Sequence, residues 1–439
     1  MSDVRTERYA NRLARLICAE TVSCQPQPDK TAFYKFHDLL REEFPHIFSV
    51  GAFEEFDGSF LLRWKGGGEK QPILLMNHHD VVEATGSWKY APFSGTIAEG
   101  KVWGRGTLDT KGGLWAMLQA ADELVEEGFV PACDVYFLST CDEEQGGAGA
   151  DRISKTLLER GVRFAMVLDE GGMILPEPIG GAKGTYAMVG VGEKGCVDLK
   201  FIARSNGGHA STPGHNTPLV RLGKFMAEAE KGKIFPAEIS PTVAAMFSRV
   251  SATMQGPMKF LLDHALLFKP LLVRVIPMVS GTANAMLKTT LAFTMASGSQ
   301  GTNVLPQEAW VVGNMRYSHH QGGAASIRAV TELAKKYDLE TVVLSPGFDS
   351  PVTDHNGAAF RLIERAVDKV FPGTKTSPYV MTAASDCRYL SRVCDNCLRF
   401  TPFLIDHQQL DSIHGLNENV DVSTLAPAVD FYRYIISEA

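Results

Sequence analysis

The sequence predicts an α/β fold, in which a mostly parallel sheet carries helices and an α+β domain is inserted into the chain. Short apolar runs alternate with segments of helical period through the first half, an order that builds parallel sheets. The chain has 439 residues, which is too long for one ordinary core. From about residue 193 the predicted strands become half exposed. We therefore expect one domain from residues 1–192 and 349–439, and an inserted domain at 193–348.

The N-terminal part predicts two helices followed by two strands. Helical periodicity covers residues 5–22 and 31–43. The apolar runs at 60–64 and 72–77 predict buried strands. A glycine-rich turn separates them, so we expect them to be neighbours in the sheet.

The next elements alternate between strand and helix. Two short strands at 95–98 and 101–103 predict a hairpin over Glu99-Gly100. Apolar residues at i, i+3 and i+4 spacing predict a helix at 110–127. The remaining predicted elements of this part are a strand at 134–140, a helix at 151–160 and a strand at 164–168.

The inserted domain is predicted from a second series of strands and helices. Its elements are a strand at 194–204, a helix at 218–231, strands at 288–295 and 309–317, a helix at 323–337 and a strand at 339–344. Residues 234–284 are rich in Met, Phe, Leu and Pro, and their periodicity is broken. The first domain then resumes with a helix at 357–370, strands at 378–381 and 398–402, and a helix at 423–436.

Composition and charge exclude several classes of protein. The chain is 45% hydrophobic and 21% charged, with a net charge of −7 and no basic cluster, which argues against a nucleic-acid partner. No apolar stretch is long enough for a transmembrane helix, and we expect no membrane partner. The N-terminus lacks the apolar core of a secretion signal. We therefore expect a cytoplasmic protein.

The cysteines offer one short motif. Cys394-Asp-Asn-Cys397 has the spacing of a redox pair or of half a zinc site. Since no second Cys-x-x-Cys exists to complete a zinc site, we interpret the pair as inert buried thiols.

Polar residues follow three of the predicted buried strands. His78 and Asp80 follow the first of these, Glu143-Glu144 the next, and Asp169 the third. In a largely parallel sheet the carboxyl ends of the strands lie along one edge, where ligands bind. We therefore expect these side chains to converge although they lie far apart in the sequence.

This set has the chemistry of a metal site. Zinc and related divalent ions take imidazole and carboxylate ligands. The available donors are His78, Asp109, Glu144, Asp169 and one further histidine, for which the later candidates are His355, His407 and His414. Each residue alone has a simpler explanation: Asp109 as a helix cap, His78-His79 as a surface pair, Glu143-Glu144 as a solvated pair. Their joint position at strand ends favours the metal site.

The pair Glu143-Glu144 allows two roles at one place. Successive residues in a loop point in different directions. One carboxylate can therefore bind metal while the other accepts a proton from a water and passes it to the leaving amine.

Seven motifs, in order from about residue 70 to 430, resemble the aminoacylase/carboxypeptidase S family of di-zinc metallopeptidases. The motifs are His78-x-Asp80, Gly104-Arg-Gly-x-x-Asp109-x-Lys-Gly, Asp142-Glu-Glu-x-Gly146, Asp169-Glu-Gly-Gly, Gly207-Gly-His-Ala-Ser, Asn303-Val-Leu-Pro and His414. The resemblance implies a di-zinc exopeptidase-like catalytic domain and an inserted ferredoxin-like domain that acts as a lid and dimerisation unit.

The resemblance also implies a metal-binding role for five residues. Asp109 would bridge two Zn²⁺ ions, for which Mn²⁺ or Co²⁺ could substitute. His78 and Asp169 would bind one ion, and Glu144 and His414 the other.

The resemblance assigns the catalytic steps as well. A water that bridges the metals would be the nucleophile and Glu143 the general base. Asp80 would orient the His78 ring. The peptide bond between Asp109 and Thr110 would be cis.

In the inserted domain, the resemblance implies residues that contact substrate. His209 would polarise the scissile carbonyl, often from the partner subunit of a homodimer formed through the lid. Asn303 and Arg316 would contact the substrate carboxylate, and Ser385 of the first domain is a further candidate for substrate binding. Asn206 and Glu83 stand where the family has proline, so the shape of two loops differs from the family pattern.

The function that the resemblance implies is hydrolysis of a peptide or N-acyl amide bond next to a free carboxylate. The motifs Ser385-Asp-Cys-Arg-Tyr389 and Ile413-His-Gly-Leu-Asn-Glu418 and the long apolar segment at 234–283 are most similar to the carboxypeptidase S and N-acyl-amino-acid hydrolase branch. The alternatives are a dipeptidase, a deacylase of acetyl- or succinyl-amino acids, or a binding protein that has lost its metals. The intact set of ligands argues against the last of these.

Overall fold

A computed structural model describes residues 2–27, 29–279, 281–345 and 347–439. The elements up to the first crossing between domains are α1 Ser2–Ile17, α2 Thr31–Glu43, α3 Pro45–Val50, β1 Ala52–Phe56, β2 Ser59–Trp64, β3 Lys70–Met76, β4 Thr96–Ala98, β5 Lys101–Trp103, α4 Lys111–Glu126, β6 Cys133–Ser139, α5 Ala148–Glu159, β7 Met166–Asp169, β8 Ile174–Pro176 and β9 Thr185–Glu193.

The middle of the chain forms twelve of the described elements. They are β10 Gly195–Arg204, β11 Gly208–His209, α6 Pro218–Glu230, α7 Pro241–Ser251, α8 Gly256–Asp263, α9 Lys269–Val279, α10 Gly281–Leu287, β12 Thr290–Ser297, β13 Val304–Leu305, β14 Glu308–Tyr317, α11 Gly323–Lys335 and β15 Glu340–Val343.

The C-terminal part returns to the first domain. Its elements are α12 Ala358–Val370, β16 Lys375–Met381, α13 Cys387–Leu390, β17 Cys397–Arg399, α14 His407–Ser412, β18 Asn419–Asp421 and α15 Val422–Glu438.

The central sheet confirms the predicted α/β class. Its strand order is β1-β2-β6-β3-β7-β17-β9-β16, with β8 paired to β9. The strands β6, β3, β7 and β17 are mutually parallel, so their carboxyl ends lie along one edge. Helices α4 and α15 pack on one face, where the largest hydrophobic cluster lies. The parallel centre thus gathers the chain segments that follow β3, β6 and β7.

One predicted neighbour relationship is wrong. β2 and β3, which the glycine turn led us to pair, are separated by β6. β6 pairs antiparallel with β2 and parallel with β3. After β3 the chain crosses over through the helix α4 and returns as β6. β6 lies on the side of β3 where β2 would lie if the two strands formed a hairpin.

The second sheet forms the α+β domain. Its order is β12-β14-β10-β15 with all neighbours antiparallel, and α6 and α11 pack on one face. Strands and helices follow one another as βαββαβ. This connectivity and strand order are those of a ferredoxin-like fold, as predicted.

The apolar segment between α6 and β12 folds into four helices. Residues of α7, including Val243 and Met246, share a hydrophobic cluster with Tyr186 and Met188 of β9. The helices therefore pack against the central sheet, although in the sequence they lie between elements of the second sheet. In the part of the chain that the structure describes, no helix has both the length and the apolar character needed to cross a membrane.

Candidate active site

The polar residues that follow the parallel strands lie close together, as the parallel order of the strands led us to expect. His78 follows β3, Asp109 precedes α4, and Glu144 lies in a single 3-10 turn after β6. One ligand atom from each of these three residues lies within 4.8 Å of the other two. The peptide bond between Asp109 and Thr110 is cis, as the family resemblance implied.

The Asp109 carboxylate lies between two imidazoles. Its Oδ1 is 2.9 Å from His78 Nε2, and its Oδ2 is 2.9 Å from His414 Nε2. His414 Nε2 also lies 3.1 Å from Glu144 Oε1. A carboxylate and two imidazoles are thus brought together, a combination of donors that binds divalent metal ions.

Asp80 holds the surrounding groups in place. It is fully buried, and one of its oxygens lies 3.3 Å from His78 Nδ1. The same carboxylate accepts the backbone N–H groups of Glu143 and Glu144, each at 3.2 Å, and the Ser23 hydroxyl at 2.7 Å. Asp80 thereby fixes both the imidazole and the loop that carries the two glutamates.

Glu143 is half-buried beside the donors His78, Asp109 and Glu144, which are here called the metal-type group. Burial raises the pKa of its carboxyl well above the ordinary value, and the neighbouring His78 opposes that shift. Arg388 lies close enough to favour the carboxylate form electrostatically. Its guanidinium donates to the Gly146 carbonyl at 3.1 Å, and the Tyr389 hydroxyl donates to the same oxygen at 2.7 Å. These bonds hold the loop behind Glu143.

Two adjacent carboxylates after β7 point in different directions. The Asp169 oxygens accept the backbone N–H groups of Glu170 at 2.8 Å and Cys387 at 2.9 Å. The structure does not bring Asp169 into the group of His78, Asp109 and Glu144. Glu170 lies close enough to Asp109 for their charges to interact: burial raises the pKa of its carboxyl well above the ordinary value, and the charges of Asp169 and Asp109 add to the shift.

Sequence reasoning missed Glu170 and Glu418. Glu170 stood in the Asp-Glu-Gly-Gly motif, where the argument made for Glu143-Glu144 applies equally. Glu418 is fully buried and accepts the backbone N–H groups of Leu108 at 2.8 Å and Asp109 at 3.2 Å. Glu418 ends the motif Ile413-His-Gly-Leu-Asn-Glu418, which is part of the family resemblance, but that resemblance gave Glu418 no role.

The donor set fits divalent ions of the zinc type. Asp109, Glu144 and Glu170 bring three carboxyl groups together, and His78 and His414 add two imidazoles. Gathering carboxylates away from water is unfavourable unless a cation compensates their charge. Imidazole with carboxylate is the combination that zinc, manganese and cobalt accept. The residues present therefore fit the metal that the sequence predicted.

His209 and Asn303 lie together on the second domain. His209 of β11 pairs with Val304 of β13, and Ala210 donates its N–H to the Asn303 carbonyl at 2.9 Å. Both side chains are exposed. The described hydrogen bonds of the His209 ring involve Ser211, and none joins it to the metal-type group of its own chain.

Ser385 is placed differently from the cleft-facing position expected of a substrate contact. It is fully buried, and its backbone N–H and hydroxyl both donate to one oxygen of Glu193, at 3.0 and 3.1 Å. Arg399 donates to the same oxygen at 3.0 Å. In this structure Ser385 braces the end of β9.

Arg316 lies near another positively charged side chain, Lys194, which we did not single out in the sequence. Lys194 is buried between β9 and β10, and its ammonium donates to the Lys288 carbonyl at 2.9 Å and the Thr290 hydroxyl at 3.1 Å. Burial lowers the pKa of Lys194 to about 7, and the charges of Arg316 and Lys288 contribute to the shift. Lys194 lines a cavity of about 410 Å³, together with His319 and other residues of both domains.

The chain matches a family model over most of its length. The model is "Peptidase family M20/M25/M40", and the match covers residues 74–438. This range includes the metal-type group, Glu143 and the inserted domain.

Curated relatives match nearly the whole chain. The "Probable carboxypeptidase S-like 2" of Dictyostelium discoideum is 30% identical over 99% of this chain and 85% of that protein. The human "N-fatty-acyl-amino acid synthase/hydrolase PM20D1" is 31% identical over 93% of this chain and 83% of that protein.

Solved structures share the fold. An M20 family metallo-carboxypeptidase from Sulfolobus solfataricus superimposes with a TM-score of 0.70, covering 98% of both chains at 16% sequence identity.

Proposed function

The chain belongs to peptidase family M20/M25/M40 and is a metal-dependent hydrolase of peptide or N-acyl amide bonds; we propose that the bond it cleaves lies next to a free carboxylate. The observation that carries this proposal is the Glu143 carboxyl beside a compact group of imidazole and carboxylate donors. The names of the relatives favour an N-acyl amino acid or a peptide with a free C-terminus as substrate.

We propose that two Zn²⁺ ions bind at this group. Asp109 would lie between them, His78 and Glu170 would complete one set of ligands, and Glu144 and His414 the other. Glu170 takes the place that the resemblance gave to Asp169, because Asp169 is engaged with backbone N–H groups. When bound, the ions would polarise the scissile carbonyl and lower the pKa of water.

Glu143 would move the proton. Its carboxylate accepts the proton of the attacking water and donates it to the nitrogen of the leaving amine as the amide bond breaks. Bonds from Arg388 and Tyr389 to Gly146 keep the loop in place, so the carboxylate does not have to reorganise.

We propose that Arg316 and Lys194 together recognise the substrate carboxylate. No acidic side chain contributes to the pKa shift of Lys194, which is buried near a like charge. An anionic group bound between the two cations would relieve this unfavourable arrangement. Arg316 keeps its terminal guanidinium nitrogens free of described hydrogen bonds, which leaves them available for a bidentate contact.

The second domain would act as a lid in a homodimer. His209 and Asn303 are exposed, and no described hydrogen bond joins the His209 ring to the metal-type group of its own chain. We propose that they complete the site of the partner subunit, where His209 would donate a hydrogen bond to the oxyanion.

The proposal is tested with the Glu143→Ala variant. The zinc-loaded enzyme should hydrolyse members of a panel of dipeptides and N-acyl amino acids, followed by mass spectrometry. The variant should keep its zinc content and lose activity by about 10²–10⁴-fold, the usual contribution of a general base. Turnover retained in the variant, or no hydrolysis of any panel member by the zinc-loaded wild type, would contradict the assignment.

A further inference from the structure

Helices α8 and α9 and the turn between them, here called the α8–α9 hairpin (residues 256–279), expose large apolar side chains to solvent. Leu267 is 73% exposed, Leu266 62% and Phe260 55%. The other exposed apolar side chains of the hairpin are Met258, Leu271 and Val275. Exposed apolar residues this dense in a chain with well-filled cores indicate a surface that another body covers.

The exposure does not come from poor packing of the hairpin. Leu262, Ala265 and Leu272 are buried in the cluster that joins these helices to the catalytic sheet. Phe260 packs on His264 and Phe268, with ring centroids 4.6 and 5.6 Å apart. The hairpin therefore has a buried inner side that anchors it and an apolar outer side that faces solvent.

The charge of this region is opposite to that of the whole chain. Residues 239–307 contain five Lys or Arg side chains and a single acidic one, Asp263, whereas the chain has a net charge of −7. Arg274 is exposed and has no ion-pair partner among the described residues. Lys259 and Lys269 are partly exposed and form ion pairs with Asp263 at 2.6 Å and Glu238 at 3.0 Å, so Arg274 is the hairpin's basic side chain without a described carboxylate partner.

We propose that the α8–α9 hairpin docks on the surface of a lipid bilayer that contains anionic lipids. The apolar side chains would enter the boundary between headgroups and acyl chains, and Arg274 and the two lysines would contact headgroup phosphates. A surface that combines apolar side chains with basic ones fits this environment. This is adsorption and not spanning, because α8 and α9 are too short to cross a bilayer.

Charge also decides against a second copy of the chain as the occupant. A two-fold symmetric contact would place the basic hairpin against itself. The docking surface departs from the expectation of no membrane partner, which rested on the absence of a spanning segment. It does not depend on the proposed hydrolytic function, although an amphiphilic N-acyl substrate would be concentrated at such a surface.

The test is flotation of the purified full-length, zinc-loaded protein with vesicles. Phosphatidylcholine vesicles are compared with vesicles of equal parts phosphatidylcholine and phosphatidylglycerol. The protein should float with the anionic vesicles, and added salt should weaken the binding because it screens the headgroup charge. The double variant Leu266→Asp with Leu267→Asp should lose at least about tenfold in vesicle affinity.

A matched control carries the same change elsewhere. Val130→Asp with Leu158→Asp replaces two apolar side chains that are 62% and 48% exposed and lie outside the hairpin. This variant should float like the wild type. Thermal melting of both variants checks that they fold.

Three outcomes would overturn the proposal. One is a wild type that does not float with anionic vesicles. Another is a hairpin variant that folds and binds them as the wild type does. The third is a wild-type dimer that the hairpin variant converts to monomer in sedimentation while neither protein binds vesicles, since the patch would then be covered by a second copy.

Discussion

The Arg105 guanidinium donates to the Glu418 carboxylate at 2.6 Å, and both side chains are buried beneath the candidate metal centre. The same carboxylate accepts backbone N–H groups from Gly106, Leu108 and Asp109. One side chain from the C-terminal part of the chain therefore fixes the loop that presents Asp109. The pair links two segments that lie more than three hundred residues apart in the sequence.

We expect Glu418→Gln to destabilise the protein and weaken metal binding. The change leaves Arg105 buried with an uncompensated charge, which costs about 3–5 kcal/mol when one partner of a buried pair is removed. Urea unfolding of the metal-free protein measures the stability, and zinc titration measures the affinity. Glu99→Gln is the matched control, because it breaks an exposed pair with Lys89 that is worth at most about 1 kcal/mol. Equal losses in the two variants would contradict the role given to Glu418.

We expect Asp169→Asn and Glu170→Gln to have different effects. Glu170→Gln removes a proposed ligand, so zinc affinity should fall by more than the about 10–100-fold that follows loss of a residue that only orients a ligand. Asp169→Asn leaves an amide facing two backbone N–H groups, which should lower stability by about 1–3 kcal/mol and keep two zincs per chain. Zinc content after dialysis and urea unfolding separate the two. The reverse pattern would return the ligand role to Asp169.

The position of the site could be predicted because it depends on patterns that can be recognised in the sequence alone. Apolar runs mark the strands, and the parallel sheet follows from the alternation with helices. The direction of each side chain after a strand could not be predicted. Asp169 and Glu170 are adjacent, and the next residue, Gly171, has a φ of 133°, which residues with a side chain rarely adopt. A side chain at Gly171 would also collide with Met381, which lies far away in the sequence.

The helices α7–α10 show a second limit. The broken periodicity of α8 and α9 reflects two different apolar sides, one packed towards the central sheet and one exposed. A sequence pattern reports that residues are apolar and does not say what covers them. For the same reason the predicted pairing of β2 with β3 was wrong. Strand β6, which follows α4 in the sequence, lies between them.

We expect His37 to make the protein less stable in mild acid. Its side chain is 1% exposed and packs against Phe53 and Phe60, and burial lowers its pKa to about 4. The unfolded chain binds a proton at a pKa of about 6.5. Protonation therefore favours the unfolded state as pH falls from about 6.5 towards 4, and the native state loses about 2 kcal/mol between pH 7 and pH 5 from this residue.

His37→Phe should remove that part of the acid sensitivity. Urea unfolding of both proteins at pH 7 and pH 5 gives the difference that belongs to the ring, since all other titrating groups are shared. His215→Phe, at an exposed position, is the matched control. An unchanged loss of stability between the two pH values in His37→Phe would contradict the prediction.

We expect the inactive variants Glu143→Gln and His209→Ala to complement each other when mixed. If His209 completes the site of the partner subunit, the mixed dimer contains one site with both residues intact and one with neither. Random exchange of subunits in a two-fold dimer makes half of the dimers mixed, so activity should return to about a quarter of the wild-type value. The measurement is the hydrolysis rate after the two variants are unfolded and refolded together.

A mixture of Glu143→Gln with Asp109→Asn is the control and should stay inactive, because both changes lie in the same chain's site. If the first mixture also stays inactive although both variants form dimers, His209 acts within its own chain or not at all. Action within its own chain would require the exposed ribbon of β11 and β13 to move onto the metal centre of the same subunit.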